Sequence, residues 1–401
     1  MPGYEVIGEE EKREVLDVLD RGILFRYEFH DQRKGIYKVE EFERAFRRYV
    51  GSRYSLALSS GTAALKVGLA SMGVGPGDEV ITQGFTFVAT WEAILDIGAT
   101  PVFGEIDDTL CLSPEDLPKR ITKNTKAIIP VHMCGAQARV DQIVEIARKE
   151  GIYVLEDTAQ ACGGRLKGKY LGTFGDMGEF SFDSVKTLTT GEGGMLVTDR
   201  EELYIRASEY HDHGHDHNPK LPRGLEGRNF IGFNFRMMEL QGALGLAQLG
   251  KLGYIIKCQR ENKKRLKEEI GKIPGVTFRN ILDEEGDIGS FLVFFMPSPK
   301  DALNIKAQLD AQKIPNIYWY KNLWHYYGEW EHLLEGKSVI NSGYPFKNPD
   351  GSTRLIYKKD ALPRTEDYIS RSITIPINIR MEGQLEGILE GLKRIRAEWS
   401  F

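Results

Sequence analysis

The sequence predicts an α/β protein, with a large unit holding a mostly parallel sheet between helices and a smaller C-terminal α/β unit. Three observations carry this. Short apolar or β-branched runs alternate with helical stretches over the first 250 residues, the pattern of a parallel sheet covered on both faces. After Gly250 the chain turns to charged, helix-prone sequence. Its 401 residues exceed one ordinary core and suit two.

The elements follow in order. Residues 9–19 read as a helix with acidic residues in its first turn, which suits the helix dipole. Tyr54–Leu58 reads as a strand, 62–72 as a helix, 79–82 as a strand ended by Gly84, and 89–97 as a helix. Residues 101–103 are extended, 127–132 form an apolar run, 140–149 a helix, and 152–155 a β-branched strand. Residues 180–182 give a short aromatic strand and 239–249 an apolar helix. Residues 1–255 are thus assigned to the large unit and 256–401 to the small one. In the latter, 258–270 and 300–312 read as helices and 290–296 as a strand. Residues 381–395 place Met381, Leu385, Ile388, Leu389, Leu392 and Ile395 on one helical stripe. Residues 330–360 read as a long loop positioned over a site.

Composition narrows the function classes. Hydrophobic residues at 41% and charged residues at 28% are a soluble globular balance. A net charge of −5 gives no support for a nucleic-acid or membrane-surface partner. Cys111, Cys134, Cys162 and Cys258 are scattered, without a C-x-x-C pair, which favours a reduced cytoplasmic protein. The N-terminus is charged and lacks an apolar run, so no signal peptide is expected, and no apolar run reaches the roughly 20 residues of a membrane helix.

Four local signals bear on chemistry. Ser59-Ser60-Gly61-Thr62-Ala63-Ala64-Leu65 follows a strand and opens a helix. Small residues, hydroxyls and a helix N-terminus suit an anion such as phosphate, although an ordinary N-cap reads the same way. Glu156-Asp157-Thr158-Ala159-Gln160-Ala161 lies where a strand ends, the usual ligand position in open parallel sheets. Phe180-Ser181-Phe182-Asp183-Ser184-Val185-Lys186 precedes the glycine-rich Thr190-Gly191-Glu192-Gly193-Gly194. Lys186 could form an imine with an aldehyde, while most lysines are simply solvated. Gly232-Phe233-Asn234-Phe235-Arg236-Met237 precedes the apolar helix. Each signal is weak by itself; their order is specific.

That order, and above all the block from Ser181 to Gly194, resembles the DegT/DnrJ/EryC1/StrS aminotransferases, from about Tyr4 to the C-terminal helix. The resemblance implies a fold-type I enzyme dependent on pyridoxal 5′-phosphate (PLP), acting on keto sugars and their nucleotide-linked forms. It implies that Lys186 forms the imine with PLP and moves the proton, and that Asp157 pairs with the ring nitrogen. Ser60, Gly61, Thr62 and Ser181 would hold the phosphate, Phe87 would stack on the ring, and Gln160 would lie near the phenolic oxygen. Asn234 would reach the phosphate of a partner subunit's site, which implies a homodimer with shared active sites. Asp183 stands where many members have histidine, and this leaves the substrate contacts open. The lysine disfavours a dehydratase that lacks it.

Within the family, Phe25-Arg26-Tyr27, Val131-His132-Met133-Cys134-Gly135 and Asp212-His213-Gly214-His215-Asp216-His217, with the opening Met-Pro-Gly, resemble members that use glutamate to aminate the 8-keto form of the lipopolysaccharide sugar Kdo. That product is 8-amino-3,8-dideoxy-manno-octulosonate. Competing readings are a nucleotide-linked keto-sugar aminotransferase, a PLP-binding regulator without turnover, and PLP chemistry other than transamination.

Substrate candidates are Arg26, His213, His215, Arg236, Trp319 and Tyr320. Arginine suits planar carboxylate or phosphate recognition, and Arg33, Arg223 and Arg228 share that chemistry. Trp324 and His325 could wall a sugar pocket with Trp319 and Tyr320. Were 212–217 extended, alternate residues would share a face and its three histidines could converge on a metal. The polar-loop reading outweighs this, and no metal is assigned.

Overall fold

The computed structural model describes residues 3–399, so Met1 and Pro2 of the opening stretch lie outside the described residues. Strands β1 (Tyr54–Leu58), β2 (Glu79–Gln83), β3 (Thr100–Gly104), β4 (Thr125–Ile128), β5 (Tyr153–Asp157), β6 (Met177–Ser181) and β7 (Gly194–Thr198) form one sheet. Its order is β1-β7-β6-β5-β4-β2-β3. All neighbours are parallel except β7, which runs antiparallel to β1 and β6. The mostly parallel sheet between helices is therefore present.

Of helices α1 (Glu9–Arg21), α2 (Lys38–Val50), α3 (Gly61–Ser71), α4 (Ala89–Asp96), α5 (Val140–Glu150), α6 (Glu201–Tyr210) and α7 (Glu239–Ile270), all but α1 cover the sheet, and α1 packs on α7. Strand alternation decides which face each side chain meets. Leu56, Leu58, Leu155, Met177 and Leu196 pack with Ala64, Leu65 and Ile94 of α3 and α4. Ala57, Phe180, Met195 and Val197 pack on the opposite face with Phe42, Phe46, Leu252 and Ile256 of α2 and α7. The Phe46 and Phe180 rings meet edge-on, 4.9 Å between centroids.

A second, antiparallel sheet is built from β8 (Thr277–Phe278), β9 (Phe291–Phe295) and β10 (Ser372–Pro376). Leu292, Phe294, Ile373 and Ile375 form a core with Ile305 and Leu309 of α8 (Pro299–Ala311) and with Ile388, Leu392 and Ile395. The 381–395 stripe does face this core. Its first turn is a 3-10 helix, Arg380–Gln384, and the α-helix itself, α10, is Leu385–Glu398, after α9 (Pro363–Arg371). On the other face of β9, Phe291, Val293 and Phe295 pack with Phe85, Val131 and Trp319.

Two expectations change. The segments 239–249 and 258–270 are one helix, α7, which runs through Gly250 and Gly253. Each glycine costs about 1 kcal/mol of helix propensity, which burial of Leu252, Ile255 and Ile256 outweighs. Position 255 thus lies inside a helix that also lends Leu266 and Ile270 to the small-sheet core. Residues 330–360 cover an edge of the large sheet rather than the cavity described below. Trp330, Leu333 and Phe346 are buried with Trp91 and Phe103, and the Tyr357 hydroxyl donates to the Pro101 carbonyl on edge strand β3 (2.9 Å). An exposed edge is a pairing hazard that such cover removes.

Gly242 of α7 sits directly on α2, where an added Cβ would lie 2.6 Å from the Val39 nitrogen. Backbone cannot yield as a side chain can. Gly242→Ala is expected to destabilise by roughly 1–3 kcal/mol, seen as a lower denaturant midpoint at unchanged slope; an unchanged midpoint would contradict the tight crossing.

Candidate active site

The end of β5 organises the site. Glu156 and Asp157 are adjacent, so they project to opposite faces. Glu156 is fully buried. Its carboxylate accepts from the backbone N–H groups of Gly172 (2.8 Å), Phe174 (2.5 Å) and Gly175 (2.7 Å), and lies 3.0 Å from His132 Nε2. His132 Nδ1 accepts from the Ala138 N–H (3.1 Å), so Nε2 carries the proton given to Glu156. Asp157, also buried, turns to the α3 side. It accepts from the Thr90 hydroxyl (2.8 Å) and the Ala159 N–H (3.2 Å), and Thr86 in turn donates to Thr90 (2.8 Å).

Asp157 borders a cavity of about 320 Å³ that also touches Ser60, Gly61, Thr62, Phe87, Gln160, Ser181 and Lys186. Ser60 caps α3 by accepting from the Ala63 N–H (3.1 Å), which leaves the Gly61 and Thr62 N–H groups without intrahelical acceptors. An added Cβ on Gly61 would lie 2.8 Å from the Ser181 Cβ, so only glycine lets α3 approach β6 this closely. Phe87 is 39% exposed and presents its ring to the cavity. Gln160 Oε1 accepts from the Cys134 N–H (3.0 Å), which leaves its NH2 as the free donor. Lys186 lies in the turn after β6, where the Gly3 N–H donates to its carbonyl (2.9 Å). These residues fit PLP: anion-binding N–H groups and hydroxyls, an aromatic face, a carboxylate for the ring nitrogen and an amine.

The far wall comes from residues 319–325. Trp319 lines the cavity, with its indole N–H given to the Thr374 hydroxyl (2.8 Å). Tyr320 turns away and donates to Glu366 (2.7 Å), whose carboxylate pushes the phenol up to about 12. Trp324 and His325 reach the cavity. Asn322 Oδ1 accepts from the Trp324 N–H (3.0 Å) and from His325 Nδ1 (2.9 Å), so the proton is on Nδ1 and Nε2 offers a lone pair. Burial, with the Lys186 charge, pushes this imidazole down to about 3.

The remaining candidates lie elsewhere. Arg26 is buried in an ion pair with Glu43 (2.5 Å) and donates to the Ala57 carbonyl. Asp212, fully buried, accepts both Arg223 and Arg236. Charge-assisted bonds from Arg223 and Arg236, against the cost of burial, draw the Asp212 carboxyl below its usual range. His215 sits between Glu226 (2.7 Å) and Arg228 (3.1 Å). His213 is exposed. The 212–217 segment is not extended: His213 and His217 have φ of 55° and 50°, and no group of three or more His, Cys, Asp or Glu suited to a metal occurs among the described residues. Asn234 is exposed and outside this chain's cavity, and its Oδ1 accepts from the Arg236 N–H. Sequence reading missed Thr90 and Glu179, and quoted His132 in the Val131–Gly135 block without giving it a role. Of the two missed, only Glu179 left a signal, a carboxylate inside the strand Met177–Ser181, otherwise free of charge.

The family model of DegT/DnrJ/EryC1/StrS aminotransferases matches residues 5–342. The chain belongs to this family. It is a PLP-dependent aminotransferase. Among similar proteins, the spore coat polysaccharide biosynthesis protein SpsC of Bacillus subtilis (strain 168) is 32% identical, over 97% of this chain and 95% of that protein. GDP-perosamine synthase of Escherichia coli O157:H7 is 39% identical, over 60% of this chain and 65% of that protein. The solved aminotransferase from Psychrobacter cryohalolentis superposes with a TM-score of 0.82 at 25% identity, over 98% of this chain and 97% of that chain.

Removing the Glu156 carboxylate strands three backbone donors. Glu156→Ala is expected to cost about 3–5 kcal/mol in denaturant unfolding, and a loss below about 1 kcal/mol would show that the anchor is dispensable. A second expectation concerns acid. His325 protonates less readily folded than unfolded, so its contribution is complete above about pH 6.5 and is lost as pH falls towards about 3. His325→Phe should therefore lose less stability than wild type between about pH 6.5 and pH 4 in thermal melts; equal acid-side losses would refute a suppressed imidazole.

Proposed function

We propose that this sugar aminotransferase moves an amino group from glutamate to a keto sugar, with Lys186 and Asp157 as its catalytic pair. The observation that carries the reading is one cavity bordered by Lys186, Asp157, Phe87, Gln160, Ser181 and the α3 N-terminus. PLP, when bound, supplies an electron sink for charge left on the donor's α-carbon. Ser60, Gly61, Thr62 and Ser181 hold its phosphate, through N–H groups and hydroxyls at the positive end of α3. Phe87 stacks on the ring, and the Gln160 amide donates towards the phenolic oxygen. Asp157 keeps the ring nitrogen protonated, braced by Thr90. Lys186 holds the cofactor, and its Nζ then moves the proton at the donor's α-carbon, a contribution of roughly 10²–10⁴-fold. Trp319, Trp324 and His325 exclude water and face the sugar, with His325 Nε2 accepting from a hydroxyl.

For the acceptor we favour the 8-keto form of Kdo, giving 8-amino-3,8-dideoxy-manno-octulosonate for lipopolysaccharide in the cytoplasm. The Phe25–Tyr27, Val131–Gly135 and Asp212–His217 blocks support it. The likeness to GDP-perosamine synthase supports a nucleotide-linked keto sugar as the second reading. In a homodimer, Asn234 would serve the phosphate of the partner's site, with the exposed His213 near that boundary. The exposed side of Asn234 is in keeping with this.

Borohydride reduction should fix cofactor label on Lys186, and Lys186→Ala should lose at least about 10²-fold in turnover. Turnover of that variant at the wild-type rate would overturn the scheme. Assays with glutamate and either 8-keto-Kdo or nucleotide-linked keto sugars decide the acceptor, and product from neither class would reject both.

A further inference from the structure

Sheet register sets two carboxyl groups side by side in this cavity. Asp157 and Glu179 are direct partners across the parallel pair β5–β6, so both project from one face on backbones about 4.8 Å apart. Like charges so placed repel. The two are not equally supplied with donors. Asp157 accepts from Thr90 and Ala159. Glu179 is fully buried, and neither of its oxygens has a hydrogen-bond partner among the described residues. Gly61 closes over it: an added Cβ there would lie 2.6 Å from Glu179 Oε1. The titratable groups around Glu179 are Asp157, Lys186 and the buried Cys162; its register partner on β7 is apolar Leu196.

A buried carboxylate without donors, beside another carboxylate, is strongly disfavoured as an ion. As a neutral acid it has one O–H to give, and Asp157 is the acceptor beside it. We propose that Asp157 and Glu179 share one proton, with Glu179 the neutral donor, a positioning residue that moderates the carboxylate facing the cofactor's ring nitrogen. The proton stays on Glu179 and no bond to carbon changes. The negative charge on Asp157 is partly drawn towards Glu179, and its pull on the ring N–H weakens. Burial and the Asp157 charge push the Glu179 carboxyl well above its ordinary range, opposed by Lys186. The proton sharing stands on the register, the burial of Glu179 and its lack of donors; the effect on the ring rests on the reading of Asp157 as its nitrogen's partner.

Two measurements test this. The first uses the cofactor-free full chain and follows thermal midpoints from about pH 5 to about pH 9. Glu179 holds its proton more tightly folded than unfolded, so its contribution is complete at the acid end and is lost as pH rises. Wild type should lose stability across that window relative to Glu179→Gln, which keeps the shape and a donor without titrating. Coincident profiles would overturn the proton sharing. The second titrates the absorbance of bound PLP. Glu179→Leu, without a donor, should shift the midpoint by about one pH unit, and Glu179→Gln should restore most of the shift. An unshifted midpoint in Glu179→Leu, beside a positive first result, would overturn the role towards the ring. Asp157→Asn separates the two readings: an unchanged absorbance titration in that variant would place the failure with Asp157 itself.

Discussion

The buried carboxylate of Glu156 is the contact on which the site depends. It gathers three backbone N–H groups from the 172–175 turn and the His132 ring, and so fixes both the end of β5 and the loop leading into β6. Charge-assisted bonds of this kind offset the cost of burying an ion only when its lone pairs are filled, and here they are. Because side chains alternate along a strand, pinning Glu156 on one face aims Asp157 at the other, where α3 begins.

That alternation sorts the chemistry from the packing. On one side of β6, Phe180 joins Phe42, Phe46 and Phe182 in an aromatic core. On the other side, Glu179 and Ser181 meet the α3 N-terminus at a separation only Gly61 permits. The cavity is closed from far along the chain. The Thr86 N–H donates to the His325 carbonyl (3.0 Å) and the Val88 N–H to that of Trp324 (2.9 Å), which ties the 319–325 wall to the segment carrying Phe87. The tie sets ring positions as well, with Phe87 and His325 5.3 Å apart between centroids.

The histidine- and arginine-rich segment after α6 shows how a conspicuous pattern can be absorbed by structure. Asp212 is surrounded by Arg223, Arg236 and His217, and His215 is held by Glu226 and Arg228. Its left-handed turns at His213 and His217 break the two-residue period that would have aligned the imidazoles. The polar atoms find one another within the chain, so a buried charge is compensated where residue types alone suggested ligands.

Local signals made much of this molecule legible. The strand Tyr54–Leu58 has its expected bounds, and most other elements begin or end within a few residues of where periodicity puts them. The order Ser60–Thr62, Asp157, Lys186 pointed to one cavity because each lies next to a strand end or helix start, features that short stretches of sequence encode. The break placed at Gly250 misled, since a long-range apolar contact can override a local propensity. Only tertiary structure could set Glu179 beside Asp157, aim His325 into the cavity, turn Tyr320 away, and bury Arg26 against Glu43. Periodicity within a strand is a property of neighbours in the chain. Strand order and register arise from contacts between residues far apart in it, and these decide which charges must share a space.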